Sequence, residues 1–198
     1  MTLEELCALA PKFHLDAKCE PISWGLNRDV LSVIAQRVSS GDSTLETGSG
    51  MSTVAFALNG CRHTAISPAE RELQKIREFC GEHKIPLDDV QMIPQRSEVA
   101  LPALAMTSLD LVLIDGRHAF PTPFIDWFYT AENLKIGGLM VIDDTQLETG
   151  RFLASFMEVD PHWRQVEQVA NTTFFEKVRS GVHDGGWTDQ PYIANLAQ

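Results

Sequence analysis

Apolar positions along this chain switch between two spacings, one suited to strands and one to helices, and the two alternate from about residue 27 onward. A lead-in carries a short helix around Leu3 to Leu9 and the prolines Pro11 and Pro21, and Val30, Leu31, Ile34 and Val38 then predict a helix over 27–38. Thr44–Thr47 reads as a strand, and Met51–Leu58 as a helix stopped by Asn59-Gly60. His63–Ile66 is a second strand and Val90–Ile93 a third, separated by an amphipathic helix over Glu70–His83 with Leu73, Ile76, Phe79 and Cys80 on one face. Ser108–Asp115 is apolar through its second half, as a strand covered on both faces must be, and belongs at the sheet's centre. Thr122-Pro123 predicts the next helix start, with Ile125, Phe128 and Leu134 on its buried side and Gly137-Gly138 as its stop. Leu139–Asp143 follows as a strand and 148–158 as a helix. Trp163–Ala170 and Thr172–Lys177 are joined too tightly for a helical crossover, so they must pair antiparallel.

Between the first strand and its helix, Ser43–Leu58 makes a glycine turn, which brings bare backbone close to a ligand. Gly48 and Gly50 allow the tight path, Ser52 or Thr53 is the expected cap, and Glu46 leaves a carboxylate at the strand's end. A nucleotide-like cofactor fits that arrangement, with an ordinary turn as the alternative.

The chain has 198 residues, 44% apolar and 22% charged, which suits one domain: a lead-in over 1–26, a core over 27–178 and a tail over 179–198. Trp24 is expected to pack on the main body, and Trp187 and Tyr192 to dock the tail. Apolar runs are too short to span a bilayer and the N-terminus is acidic, unlike a signal peptide, so no membrane is expected and the cytoplasm is the natural compartment. Cys7, Cys19, Cys61 and Cys80 lack the spacing of a metal or redox motif and read as buried, reduced thiols. A net charge of −11 works against nucleic acid as a partner.

The alternating order closed by a hairpin, with Glu46-Thr-Gly-Ser-Gly50 after the first strand, resembles the class I S-adenosylmethionine-dependent methyltransferases over roughly 27–178. Leu113-Ile-Asp-Gly-Arg-His118 and Leu134-Lys-Ile-Gly-Gly-Leu-Met-Val-Ile-Asp-Asp144 add a likeness to small-molecule O-methyltransferases of sugar and catechol type. The resemblance implies an α/β, three-layer Rossmann-like methyltransferase fold with a mostly parallel seven-stranded sheet and a C-terminal antiparallel hairpin. It implies S-adenosylmethionine at Glu46, Gly48, Gly50 and Ser52, beside Asp115, and a small-molecule acceptor; a homodimer stays open. Where the family places an acid for the ribose hydroxyls this chain has Ser67; Glu70 or Glu72 could reach the ribose instead, the alternative being that both only solvate a helix N-terminus. Ser97, after the third strand, is placed to approach the adenine or else to cap a helix.

Asp115, Asp143 and Asp144 fall at the carboxyl ends of strands expected to be neighbours, where ligands of such sheets sit. Methyl transfer to an alcohol or phenol requires removal of its proton, and a Mg²⁺ ion held by these carboxylates would lower the hydroxyl pKa. A loop hydrogen-bonding role is the alternative. His118, three positions beyond Asp115, is the candidate base. Arg117 could meet an anionic substrate group, and Phe120 is the expected pocket aromatic. Two rival functions are a nicotinamide-dependent oxidoreductase, which lacks its third glycine and its ribose acid here, and a non-catalytic binding protein on the same fold.

Overall fold

Strands covered on both faces need an apolar layer above and below, and the residues of this sheet supply both by simple alternation. In the computed structural model, which describes residues 1–16, 18–22 and 24–189, the elements run α1 (Leu3–Leu9), β1 (His14–Leu15), β2 (Pro21–Ile22), α2 (Arg28–Arg37), β3 (Ser43–Thr47), α3 (Met51–Leu58), β4 (Arg62–Ile66) and α4 (Glu70–Glu82). They continue with β5 (Val90–Ile93), α5 (Ser97–Ala100), β6 (Leu109–Ile114), α6 (Thr122–Ala131), β7 (Leu134–Ile142), α7 (Glu148–Val159), β8 (Trp163–Val169) and β9 (Thr172–Lys177). Seven strands form one sheet in the order β5-β4-β3-β6-β7-β9-β8, with β6 at its centre; β9 is antiparallel to both neighbours and the other pairings are parallel. Leu111 and Leu113 of β6 and Phe174 of β9 face the layer of α2, α3 and α4, whereas Val112, Ile114 and Phe175 face that of α5, α6 and α7. The predicted fold class and its closing hairpin are therefore present.

Helix α6 departs from the prediction at both ends. It begins at Thr122 with Pro121 in the cap position, and its buried residues are Thr122, Pro123, Asp126, Trp127, Thr130 and Ala131, not Ile125 and Phe128. It stops at Ala131, well before Gly137-Gly138: the Asn133 amide donates to the Thr130 carbonyl (3.1 Å), its side chain to that of Tyr129 (3.0 Å), and the Lys177 ammonium to that of Ala131 (2.7 Å). Leu134 already belongs to β7. The glycine pair lies inside that strand, where β6 advances from Leu109 to Leu111 while β7 advances from Leu134 to Leu139. Gly137 has φ +84°, and a Cβ on Gly138 would fall 2.9 Å from Leu134 Cδ1, so these glycines make an irregularity in the sheet.

Other expectations also change. Trp24 is 62% and Trp187 75% exposed; the tail is held instead by His183, whose amide donates to Glu132 Oε1 at 3.0 Å and whose ring stacks on Phe128. Tyr192 lies outside the described residues. All four cysteines are free thiols, but Cys19 is exposed and Cys7 half-buried; burial pushes the Cys61 and Cys80 thiols up to about 11. Among the described residues no helix is long and apolar enough to cross a membrane.

One buried group opposes the fold. Asp126 is 0% exposed and neither carboxyl oxygen has a hydrogen-bond partner. Burial raises its pKa from 3.8 to about 6, while the Ser97 and Thr47 hydroxyls, near but outside hydrogen-bond geometry, pull it down. A carboxyl whose pKa is higher folded than unfolded takes up protons on folding, so its cost is absent at low pH and complete above the folded pKa. Asp126→Asn should change urea-unfolding stability little at pH 4 and raise it at pH 7 by on the order of 3 kcal/mol. An equal effect at the two pH values would contradict this.

Candidate cofactor and acceptor site

The glycine turn locks three strand ends into one rim. Gly48 has φ +103°, and a Cβ there would lie 2.2 Å from the Asp115 carbonyl oxygen, so no other residue fits. Its amide donates to the Ile66 carbonyl and the Asp115 amide donates to the Thr47 carbonyl, both at 2.9 Å. Above this rim, where the strand order turns outward in both directions from β3 and β6, lies a cavity of about 910 Å³. Gly48, Ser67, Ser97, Asp115, His118, Asp143 and Asp144 all line it, as their strand-end positions predict. Arg117 is also on the wall, whereas Phe120 is exposed and outside it.

Glu46, Gly50 and Ser52 are not on the cavity wall. Glu46 is fully buried beneath the turn, accepting hydrogen bonds from Ser52 Oγ at 2.5 Å and from Thr53 Oγ1. His63 Nε2 lies 3.1 Å from the same carboxylate, Nδ1 lies 2.8 Å from Thr44 Oγ1, and the imidazole stacks on Phe56 with centroids 4.4 Å apart. The helix cap is Gly50 itself, whose amide donates to Thr53 Oγ1 at 3.0 Å. Ser52 and Thr53 thus serve Glu46 and do not occupy the cap position. The carboxylate expected at the ligand instead supports the turn from below.

The aspartates are arranged in pairs. Burial, with the charges of Asp143 and Glu46, holds the Asp115 carboxyl well above the usual carboxylate range. Burial also raises Asp143, against the hydroxyl hydrogen bond that Thr172 donates to it. Asp144, with φ +52°, turns to His118, whose Nε2 is 3.0 Å from Asp144 Oδ2. Among the described residues no three His, Cys, Asp or Glu side chains are grouped to hold a metal ion. A carboxylate beside an imidazole orients the ring, which suits proton removal from a bound group.

Part of the wall comes from residues outside the motifs that mark the site in the sequence. His14, Trp24 and Gly25 from the lead-in line the cavity, as does Glu72 of α4, which the Leu15 amide and His14 contact. Of these, Glu72 was already a candidate for the ribose beside Glu70; the lead-in lies far from the motifs along the chain and meets them only in the fold.

Residues 45–145, half the chain, match a family profile described as a methyltransferase domain. No curated protein matches the sequence. Among solved structures, the O-methyltransferase TomG from Streptomyces achromogenes, involved in tomaymycin synthesis and solved with SAM, has a TM-score of 0.71 at 14% identity, covering 88% of this chain and 90% of its own. Cofactor-bound Rv0187 from MTB gives 0.68 at 17% identity, with 90% of each chain covered. An rRNA methylase from Streptococcus thermophilus gives 0.58 at 14% identity, over 77% of this chain and 96% of that one. Identities this low speak for the fold, while the profile match, seated on this strand order and glycine turn, makes the chain a class I S-adenosylmethionine-dependent methyltransferase.

Proposed function

We propose that the protein transfers the methyl group of S-adenosylmethionine to a hydroxyl of a small-molecule acceptor, with His118 as the general base. The observation that carries this reading is the 3.0 Å contact of His118 Nε2 with Asp144 on the cavity wall. With Nε2 facing the carboxylate, Nδ1 is the nitrogen left to take the acceptor's proton. As the hydroxyl oxygen bonds to the methyl carbon, the carbon–sulfur bond breaks, S-adenosylhomocysteine leaves, and the proton passes to His118, whose charge Asp144 offsets. Gly48, Ser67, Ser97 and Asp115 form the cofactor's side of the cavity in this reading. An RNA acceptor, raised by the likeness to an rRNA methylase, is disfavoured by the net charge of −11.

The Asp143 amide donates to the Ile114 carbonyl at 3.0 Å, which sets the Asp115 and Asp143 carboxyls on adjoining strand ends of the cavity wall and favours a second form of the same site, with a divalent cation between these two carboxylates. Bound there, Mg²⁺ would supply acidity to an acceptor hydroxyl.

Saturable calorimetric binding of S-adenosylhomocysteine is expected of the purified chain, and its absence would end the cofactor reading. Across a panel of sugar and phenol acceptors with an rRNA fragment included, turnover should be confined to the small molecules. His118→Ala should lower kcat by about 10²- to 10⁴-fold while leaving S-adenosylhomocysteine affinity near that of the wild type. Rates that fall with EDTA and return with Mg²⁺ would select the metal-assisted form.

A further inference from the structure

Ser67 ends β4 where an acid for the ribose hydroxyls is expected; its hydroxyl accepts only a long bond from the Ala69 amide, at 3.4 Å, and brings no charge. A carboxylate reaches the same cavity wall from another direction. Glu72, in the first turn of α4, has a side chain only 14% exposed, with Oε2 3.0 Å from His14 Nδ1 and Oε1 accepting from the Leu15 amide at 3.1 Å. Burial opposes its charge, yet these bonds hold its carboxyl below the ordinary value. Glu70 is exposed and off the wall. Each carboxylate oxygen has two lone-pair sites, so each oxygen of Glu72 has room for one further donor.

We propose that Glu72 receives the ribose hydroxyls of the cofactor in place of the acid absent at Ser67, and that through His14 and Leu15 the same carboxylate latches the paired strands β1 and β2, with Trp24 and Gly25, over the nucleoside. The assignment rests on the cofactor reading above. A vicinal diol offers two O–H donors to two acceptor oxygens, and charge-assisted bonds of this kind are the stronger ones. Strands β1 and β2 pair to stiffen the strap, Trp24 and Gly25 line the same cavity, and a Cβ on Gly50 would stand 3.2 Å from His14 Nε2, so the strap presses on the glycine turn. The strap lies outside the matched residues 45–145.

Calorimetric titration of the full chain with S-adenosylhomocysteine and with its 2′,3′-dideoxyribose analogue reads the assignment as an affinity ratio. The wild type should favour the diol by about 10- to 100-fold. Glu72→Ala should bring the ratio near one, Ser67→Asp added to Glu72→Ala should restore at least about tenfold, and His14→Ala, which leaves the carboxylate in place, should keep the wild-type ratio. The assignment is overturned if Glu72→Ala weakens both ligands alike with the ratio intact, or if His14→Ala flattens the ratio as Glu72→Ala does. Binding of neither ligand by the wild type would remove the cofactor reading itself, a different failure from a lost ratio.

Discussion

A carboxylate taken fully out of water must be surrounded by donors or it costs several kcal/mol, and Glu46 imposes that requirement at the point where strand becomes turn. The donors come from different elements: the Ser52 and Thr53 hydroxyls from the first turn of α3, and the His63 imidazole from β4. Satisfying one buried charge therefore fixes the exit of β3, the start of α3 and the neighbouring strand together. Gly48 then presses against the Asp115 carbonyl, which brings the loop after β6 to the same rim. Every group on the cavity wall is placed relative to that rim.

Above it, the site is a set of matched charges. Burial, with the charges of Asp143 and Glu46 beside it, holds the Asp115 carboxyl above its usual range, and Asp144 turns to His118. Glu72 is satisfied by His14 and the Leu15 amide on the far side. A cationic sulfonium entering this acidic cavity meets carboxyls whose ionised forms it favours, so the charge of the cofactor and the acidity of the wall support one another.

What the sequence made legible was local. The strand and helix order, the central β6, the Ala170-Asn171 hairpin and the glycine turn each follow from spacing within a few residues, and each is present. The end of α6 was misplaced because the glycine pair outweighed Asn133, whose amide and side chain cap the Thr130 and Tyr129 carbonyls, and because Lys177 arrives from the last strand to take the Ala131 carbonyl. Ser67, Ser97, Asp115, His118, Asp143 and Asp144, all near strand ends in the sequence, line one cavity, but strand-end position could not say which way Glu46 turns. That depends on His63, which alternation alone marks as an ordinary strand residue. The strap was invisible for the same reason: its contacts with Glu72 and Gly50 exist only once the sheet has formed.

Native-state hydrogen exchange at the amides of Gly48 to Val54, compared between wild type and Glu46→Ala without any ligand, tests most directly whether Glu46 holds the turn from beneath. Exchange in the variant should accelerate by about tenfold or more, because the turn and the first turn of α3 lose their shared anchor. Unchanged exchange in the free variant, with loss confined to S-adenosylhomocysteine binding, would contradict the account and make Glu46 a direct contact of the cofactor.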